Sequence, residues 1–295
     1  MRKVIIFHFL LFIVNQLFTQ NDPMKEDPFN MNKPSVSQRA EVSQKIGIGF
    51  ITINYSRPNA RGRKIFGGLL KHNEVWRLGA DYQTTIDFQH SFVVVNDTIP
   101  KGKYALYAVP NKEFWTIYFN RDIDGWGQYS YNSNLNIYEF EIPVEKTLEY
   151  IETFTIGFMN TSMNNGELYF QWENSRIRLP ITIGNAQRKE ILLNFEYLLG
   201  ENKKSLGYKY FLTSEYFYLE EQEYEKALSY LQKALDNGLN TYYVHFLRAE
   251  IFYALGKRNK AINEAKEAKK RVPLNSNDSD WLYRIDKAIL NWTSN

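Results

Sequence analysis

Outside a block at 55–80, apolar and polar residues alternate from Ser35 to about Ile183, and apolar residues take helical spacing from about Gly184 onward. A period of two puts alternate side chains on opposite faces of a strand, whereas a period of 3.6 gathers them on one face of a helix. The clearest strand covers 84–95, where Ile86, Phe88, His90, Phe92 and Val94 share one face while Thr85, Asp87, Gln89 and Ser91 share the other. That parity assigns His90 to a hydrogen-bonded position in the core. Asn96-Asp97 and Pro100-Lys101-Gly102 supply turns. Further strands are predicted over 104–109, 114–119, 135–142, 150–158, 167–172 and 177–183. The first strand, 44–55, changes phase: Ile46, Ile48 and Phe50 face one way, and Ile51, Ile53 and Tyr55 the other. A β-bulge or a crossing between two sheets would produce such a change. Short strands with regular turns and no intervening helix predict an all-β antiparallel sandwich over 35–184.

An all-α domain is predicted over 185–295. A first helix over 185–199 carries Ile191, Leu192, Phe195, Tyr197 and Leu198. Two later segments repeat each other: Tyr224-Glu225-Lys226-Ala227 through Ala234, and Asn259-Lys260-Ala261 through Ala268, with Ala227 and Ala261 34 residues apart. Gly256 fills a turn between helices, Ala249 a small packing site and Pro273 a closing position. The stretch 206–273 resembles two tetratricopeptide repeats. The first copy departs from the pattern, with Glu215 where a small residue is expected. His245 falls at the interface between the helices of the second copy. A capping helix is predicted over 281–292, with Leu282, Ile285 and Ile289 as its apolar stripe. The resemblance implies a peptide or protein partner on the concave side of the helices.

The first twenty residues read as a secretory signal: Arg2 and Lys3 precede an apolar run over 4–14, and Thr19 lies near a cleavage point. The run is shorter than the ~20 residues of a spanning helix, so no membrane span is expected after cleavage. A polar lead-in with prolines follows over 21–34. The expected location is exported, periplasmic or extracellular. The chain has no cysteine, which excludes thiol nucleophiles, thiolate zinc sites and iron–sulfur clusters. Without Arg2 and Lys3, the 36 basic residues become 34 against 33 acidic ones. A net charge of +1 is no field for nucleic acid. Outside the leader only His72, His90 and His245 remain, so neither a metal site nor a cofactor is expected.

The block 55–80 follows neither period. Arg57, Arg61, Arg63 and Arg77 stand among Pro58, Gly62, Gly67, Gly68, Gly79 and Trp76. Guanidinium groups in a loop suit carboxylate or phosphate contacts. One reading is a pocket for an anionic or glycan ligand at Arg57, Arg61, Arg63, Trp76 and Arg77. The other is a loop pinned to its own fold through Asp81, Asp87 or Glu74.

Here the chain resembles an exported domain family, domain of unknown function 2911, across about 34–183. The resemblance rests on Val42-Ser43-Gln44-Lys45-Ile46-Gly47, Tyr55-Ser56-Arg57-Pro58, Ile65-Phe66-Gly67 and Val75-Trp76-Arg77-Leu78-Gly79-Ala80. Ile99-Pro100-Lys101-Gly102-Lys103-Tyr104, Trp115-Thr116-Ile117-Tyr118-Phe119-Asn120 and Trp126-Gly127 extend it. It implies no activity. Leu70-Lys71-His72-Asn73 and Ala80-Asp81-Tyr82-Gln83-Thr84 depart from the family pattern, which would alter any ligand contact those loops make.

Other candidate chemistry is sparse. Ser56, His72 and Asp81 could form a serine–histidine–acid set, but Ser56 lacks a Gly-x-Ser-x-Gly elbow. Asp122 and Asp124 open like a calcium loop that lacks its later ligands. Trp126, with Tyr129 and Tyr131, could stack on a sugar or fold back onto the sandwich edge. The favoured expectation is a binding or interaction protein. A hydrolase acting on an envelope polymer and a purely structural assembly scaffold are the rivals.

Overall fold

The computed structural model describes residues 34–125, 127–201, 205–273 and 279–294. The expected leader over 1–20, most of the lead-in and Trp126 lie outside them. The described residues from Arg39 onward form one compact unit. It contains an antiparallel β-sandwich followed by helices, as the change of period implies.

The strands are β1 (Gln38–Ile46), β2 (Gly49–Arg57), β3 (Thr85–Phe88), β4 (Phe92–Val94), β5 (Asp97–Ile99), β6 (Gly102–Pro110), β7 (Phe114–Asn120), β8 (Asn136–Pro143), β9 (Glu145–Met159) and β10 (Asn165–Ile183). One sheet has the order β1-β2-β3-β6-β7-β8, and the other β5-β4-β10-β9. Three strand expectations are corrected. The phase change in 44–55 is a hairpin: β1 ends at Ile46, Gly47 turns the chain at φ 59°, and β2 begins at Gly49. A Cβ at Gly47 would strike Gln187 and Ile183, so the turn requires glycine.

The expected strand 84–95 is β3 and β4, in different sheets. Parity survives the crossing because three residues, Gln89 to Ser91, separate the two strands. His90 therefore sits at the corner and not in the core, half-exposed, its ring packed over Gly49. Conversely, the two strands expected over 167–183 are the single strand β10. Its register against β9 shifts on either side of Glu173, whose φ is 48°. That bulge lets Trp172 and Ile177, five positions apart, both face the core.

The core between the sheets is strongly aromatic. Trp76, Trp115, Trp172, Phe66 and Phe154 make successive ring contacts at centroid separations of 4.8 to 6.5 Å. Burial on this scale is the main stabilisation open to a chain without disulfides.

The helices are α1 (Asn185–Glu201), α2 (Leu206–Leu219), α3 (Tyr224–Asp236), α4 (Tyr242–Ala254), α5 (Arg258–Arg271) and α6 (Ser279–Ser294). Helix α2 packs on α3, α4 on α5, and α5 on α6. Ala227, Ala234, Ala261, Ala265 and Ala268 are fully buried where helices approach closely. Ser214 and Ala249 take the small sites on α2 and α4; Ser214 Oγ donates to the Ala227 carbonyl at 2.8 Å. His245 is held between Glu264 and Asn240, at 2.8 Å from each.

The helices join the sandwich through polar contacts. Gln187 accepts from Ile48 N at 2.9 Å and donates to the Ser91 carbonyl at 3.3 Å. Asn164 donates to the Tyr216 hydroxyl, and Met163 N to Glu220, both at 2.9 Å. No helix among the described residues is long and apolar enough to cross a membrane.

Candidate functional site

The arginine block closes one end of the sandwich. It leaves β2 by pairing with β9, where Ala60 N donates to the Glu152 carbonyl and Phe154 N to the Pro58 carbonyl. It returns onto β6, where Trp76 and Ala108 exchange two backbone hydrogen bonds of 2.7 Å. Two glutamates fasten the span between. Glu152 accepts from Arg61 N at 2.6 Å, and Glu173 accepts from Ile65 N at 2.9 Å and Phe66 N at 3.4 Å.

Arg57 and Arg63 end on different partners. Arg57 donates to the Phe154 carbonyl at 3.2 Å and to Thr155 Oγ1 at 2.9 Å. Arg63 turns back on its own loop, to the carbonyls of Ala60 (2.9 Å) and Asn59 (2.8 Å). Arg61 is exposed, with φ 52°. Arg77 is half-buried, and its Nε–H has no hydrogen-bond partner. Of the expected carboxylate anchors, Glu74 pairs with Lys71 at 3.5 Å, while Glu152 and Glu173 hold backbone amides of the loop. Trp76 is 4% exposed, inside the aromatic core, with Nε1 donating to the Gly79 carbonyl at 2.9 Å.

Ser56 is 2% exposed. His72 packs over Gly67, and its Nδ1 is buried without a hydrogen-bond partner. Among the described residues no hydrogen bond joins Ser56, His72 and Asp81 into a relay, the coupling that nucleophilic catalysis requires. Nor does any group of three or more His, Asp or Glu side chains there form a potential metal site.

A polar recess of about 420 Å³ lies on the six-stranded sheet, lined by Arg39, Asn54, Tyr82, Gln83, Thr85, Lys103 and the 123–125 loop. The Arg39 guanidinium donates to the Gln83 carbonyl at 3.3 and 3.4 Å. Gln83 is 4% exposed; its amide nitrogen donates to Leu106, and its side-chain oxygen has no partner.

Another concavity lies on the helices. A groove of about 580 Å³ runs across α2, α4 and α6. Its walls are Tyr208, Phe211 and Leu212 from α2, Tyr243, Phe246 and Leu247 from α4, and Trp281 from α6. Equivalent positions lie 35 residues apart: Phe211, Phe246 and Trp281 form one row, and Tyr208 and Tyr243 another. Glu215 and Glu250, also 35 apart, enter the same groove, with Arg284 beside them.

Burial pushes the Glu215 carboxyl above the ordinary glutamate range. Burial does the same to Glu250, where the charge of Glu215 adds to the effect and Arg284 opposes it. Behind them, burial and the charge of Glu250 push the Tyr218 hydroxyl up to about 12. The 34-residue spacing of Ala227 and Ala261 hides this row, because α2 and α4 repeat at 35 residues and their partners at 34. In the 35-residue register Ser214 is the small residue, and Glu215 is a groove position.

Fold and site together define a β-sandwich protein extended by paired helices that carry an aromatic groove. Residues 37–181, essentially the sandwich, match the family model described as Protein of unknown function (DUF2911). No curated protein and no solved structure matches the chain.

Proposed function

We propose that this is an exported binding protein whose helices are tetratricopeptide-like repeats and whose groove receives an extended segment of a protein partner. The observation that carries the reading is the groove itself, with one aromatic residue per helix in equivalent positions along a continuous concavity. Regularly spaced pockets suit a chain with regularly spaced side chains. Export is supported by the leader pattern of the first twenty residues. In this reading the sandwich is the platform, and the block 55–80 serves the fold through Glu152, Glu173 and Trp76.

Selection of displayed random peptides against the full chain tests the proposal. Leu212 is exposed in the groove wall, so Leu212→Trp fills the groove without disturbing the core. Peptides retained by the wild type and lost by Leu212→Trp support the reading; equal recovery from both overturns it.

A second reading concerns the sandwich. The polar recess, with Arg39 and Lys103 at its wall and an unpartnered Gln83 oxygen, is the place for a small anionic or glycan ligand. Thermal shift against sulfate and neutral oligosaccharides, with Lys103→Met as comparison, tests it. The absence of any shift in the wild type removes the reading.

A further inference from the structure

The helical groove is chemically uneven along its length. At the α4–α6 end, Arg284 lies over the aromatic wall, its guanidinium carbon 4.5 Å from the Trp281 ring centroid and 5.7 Å from that of Phe246. At the α2–α4 end the same kind of wall recurs, with Phe211 and Tyr243 packed edge to face at 5.0 Å and Tyr208 against Phe211 at 6.0 Å. Among the described residues no lysine or arginine lies over these three rings. Glu215 stands beside them in the groove.

The charges do not balance. Two carboxylates and one guanidinium line the groove. Neither Glu215 nor Glu250 forms a hydrogen bond or ion pair with any described residue, although both are half-buried. A carboxylate drawn out of water without a partner is costly, and a cation that neutralises it recovers that cost. Aromatic faces add a favourable quadrupole interaction with the same cation. Arg284 demonstrates that the wall accepts a guanidinium; the α2–α4 end repeats the wall, with Glu215 in the position equivalent to Glu250.

We infer that the groove selects a polypeptide segment bearing a basic side chain, lysine or arginine, whose head lies beside Glu215 against Tyr208, Phe211 and Tyr243. This inference rests on the peptide-groove reading above and names the chemistry of its occupant. A monocation leaves the groove neutral: two negative charges against Arg284 and the incoming group.

The test is fluorescence anisotropy of the full chain with a positional-scanning library of fluorescein-labelled, acetylated hexapeptides at moderate ionic strength. The expected result is a strong preference for lysine or arginine at one position. Glu215→Gln should lower the affinity of the selected peptides at least tenfold, while Glu196→Gln on the exposed face of α1 leaves it unchanged. Thermal melts confirm that each variant is folded, and the glutamine side chain keeps the size of the original. Saturable binding with no basic preference, or basic peptides indifferent to Glu215→Gln, overturns the cation inference while leaving the peptide groove standing. No saturable binding of any pool overturns both.

Discussion

Replacing Glu173 by alanine separates two accounts of what holds the arginine block. Glu173 sits at the β10 bulge and accepts from the amide of Ile65 at 2.9 Å and that of Phe66 at 3.4 Å. Ile65 is fully buried, so its N–H has no water to turn to once the carboxylate is gone. A charge-assisted bond to a buried donor contributes about 1.5–3 kcal/mol, and the longer contact adds little. Glutamate and alanine both carry a Cβ, so the positive φ at this position costs both about the same. For a unit of this size the loss corresponds to a melting point lower by about 3–12 °C.

Arg63→Ala removes two bonds to loop carbonyls from an exposed side chain. Water replaces them at a cost of about 0.5–1 kcal/mol. The assay is urea and thermal unfolding followed by tryptophan fluorescence, since Trp76, Trp115 and Trp172 lie in the core that the loop covers. If Arg63→Ala costs as much as Glu173→Ala, the loop is tied by its guanidinium groups and the glutamate-anchor account is wrong.

Arg77→Met should leave the melting temperature unchanged or raise it, because it keeps the apolar stem and removes a buried Nε–H with no partner; a loss above about 2 kcal/mol in urea titration would contradict the assignment. Trp76→Ala should cost about 3–5 kcal/mol as a large-to-small core change, and a near-wild-type urea midpoint would place its ring outside the core. Glu215 and Glu250 hold their protons to higher pH in the folded than in the unfolded chain. Their contribution to stability therefore falls as pH rises from the unfolded carboxyl range, about 4.3, through the raised folded values. The double variant Glu215→Gln, Glu250→Gln should be more stable than wild type at pH 7 and lose that advantage at pH 3; equal pH profiles in thermal melts would show that the groove carboxyls carry no such penalty.

Period-two patterning made the sandwich legible because both inner faces are apolar along nearly every strand. What it could not register was where a strand ends when parity is preserved. The three-residue corner at His90 keeps Phe88 and Phe92 in step, so β3 and β4 read as one strand. The bulge at Glu173 breaks step, so β10 reads as two. The arginines drew attention because guanidinium groups are conspicuous, yet the loop is fastened by Glu152 and Glu173, roughly 90 and 110 residues away in sequence. Nothing local marks such partners. The groove left a trace in Glu215, an apparent misfit in the 34-residue register. Comparing the first helices at 35 residues would have aligned it with Glu250 and revealed the row Phe211, Phe246 and Trp281.

The central claim is that the helical groove is where this protein binds its partner. Photo-crosslinking tests it most directly, with a benzophenone amino acid placed at Tyr208, exposed in the groove, or at Leu193, exposed on α1. With a peptide selected on the full chain, the account predicts a covalent adduct from position 208 and none from position 193. Adducts from 193 alone, or from neither position while binding persists, would contradict it.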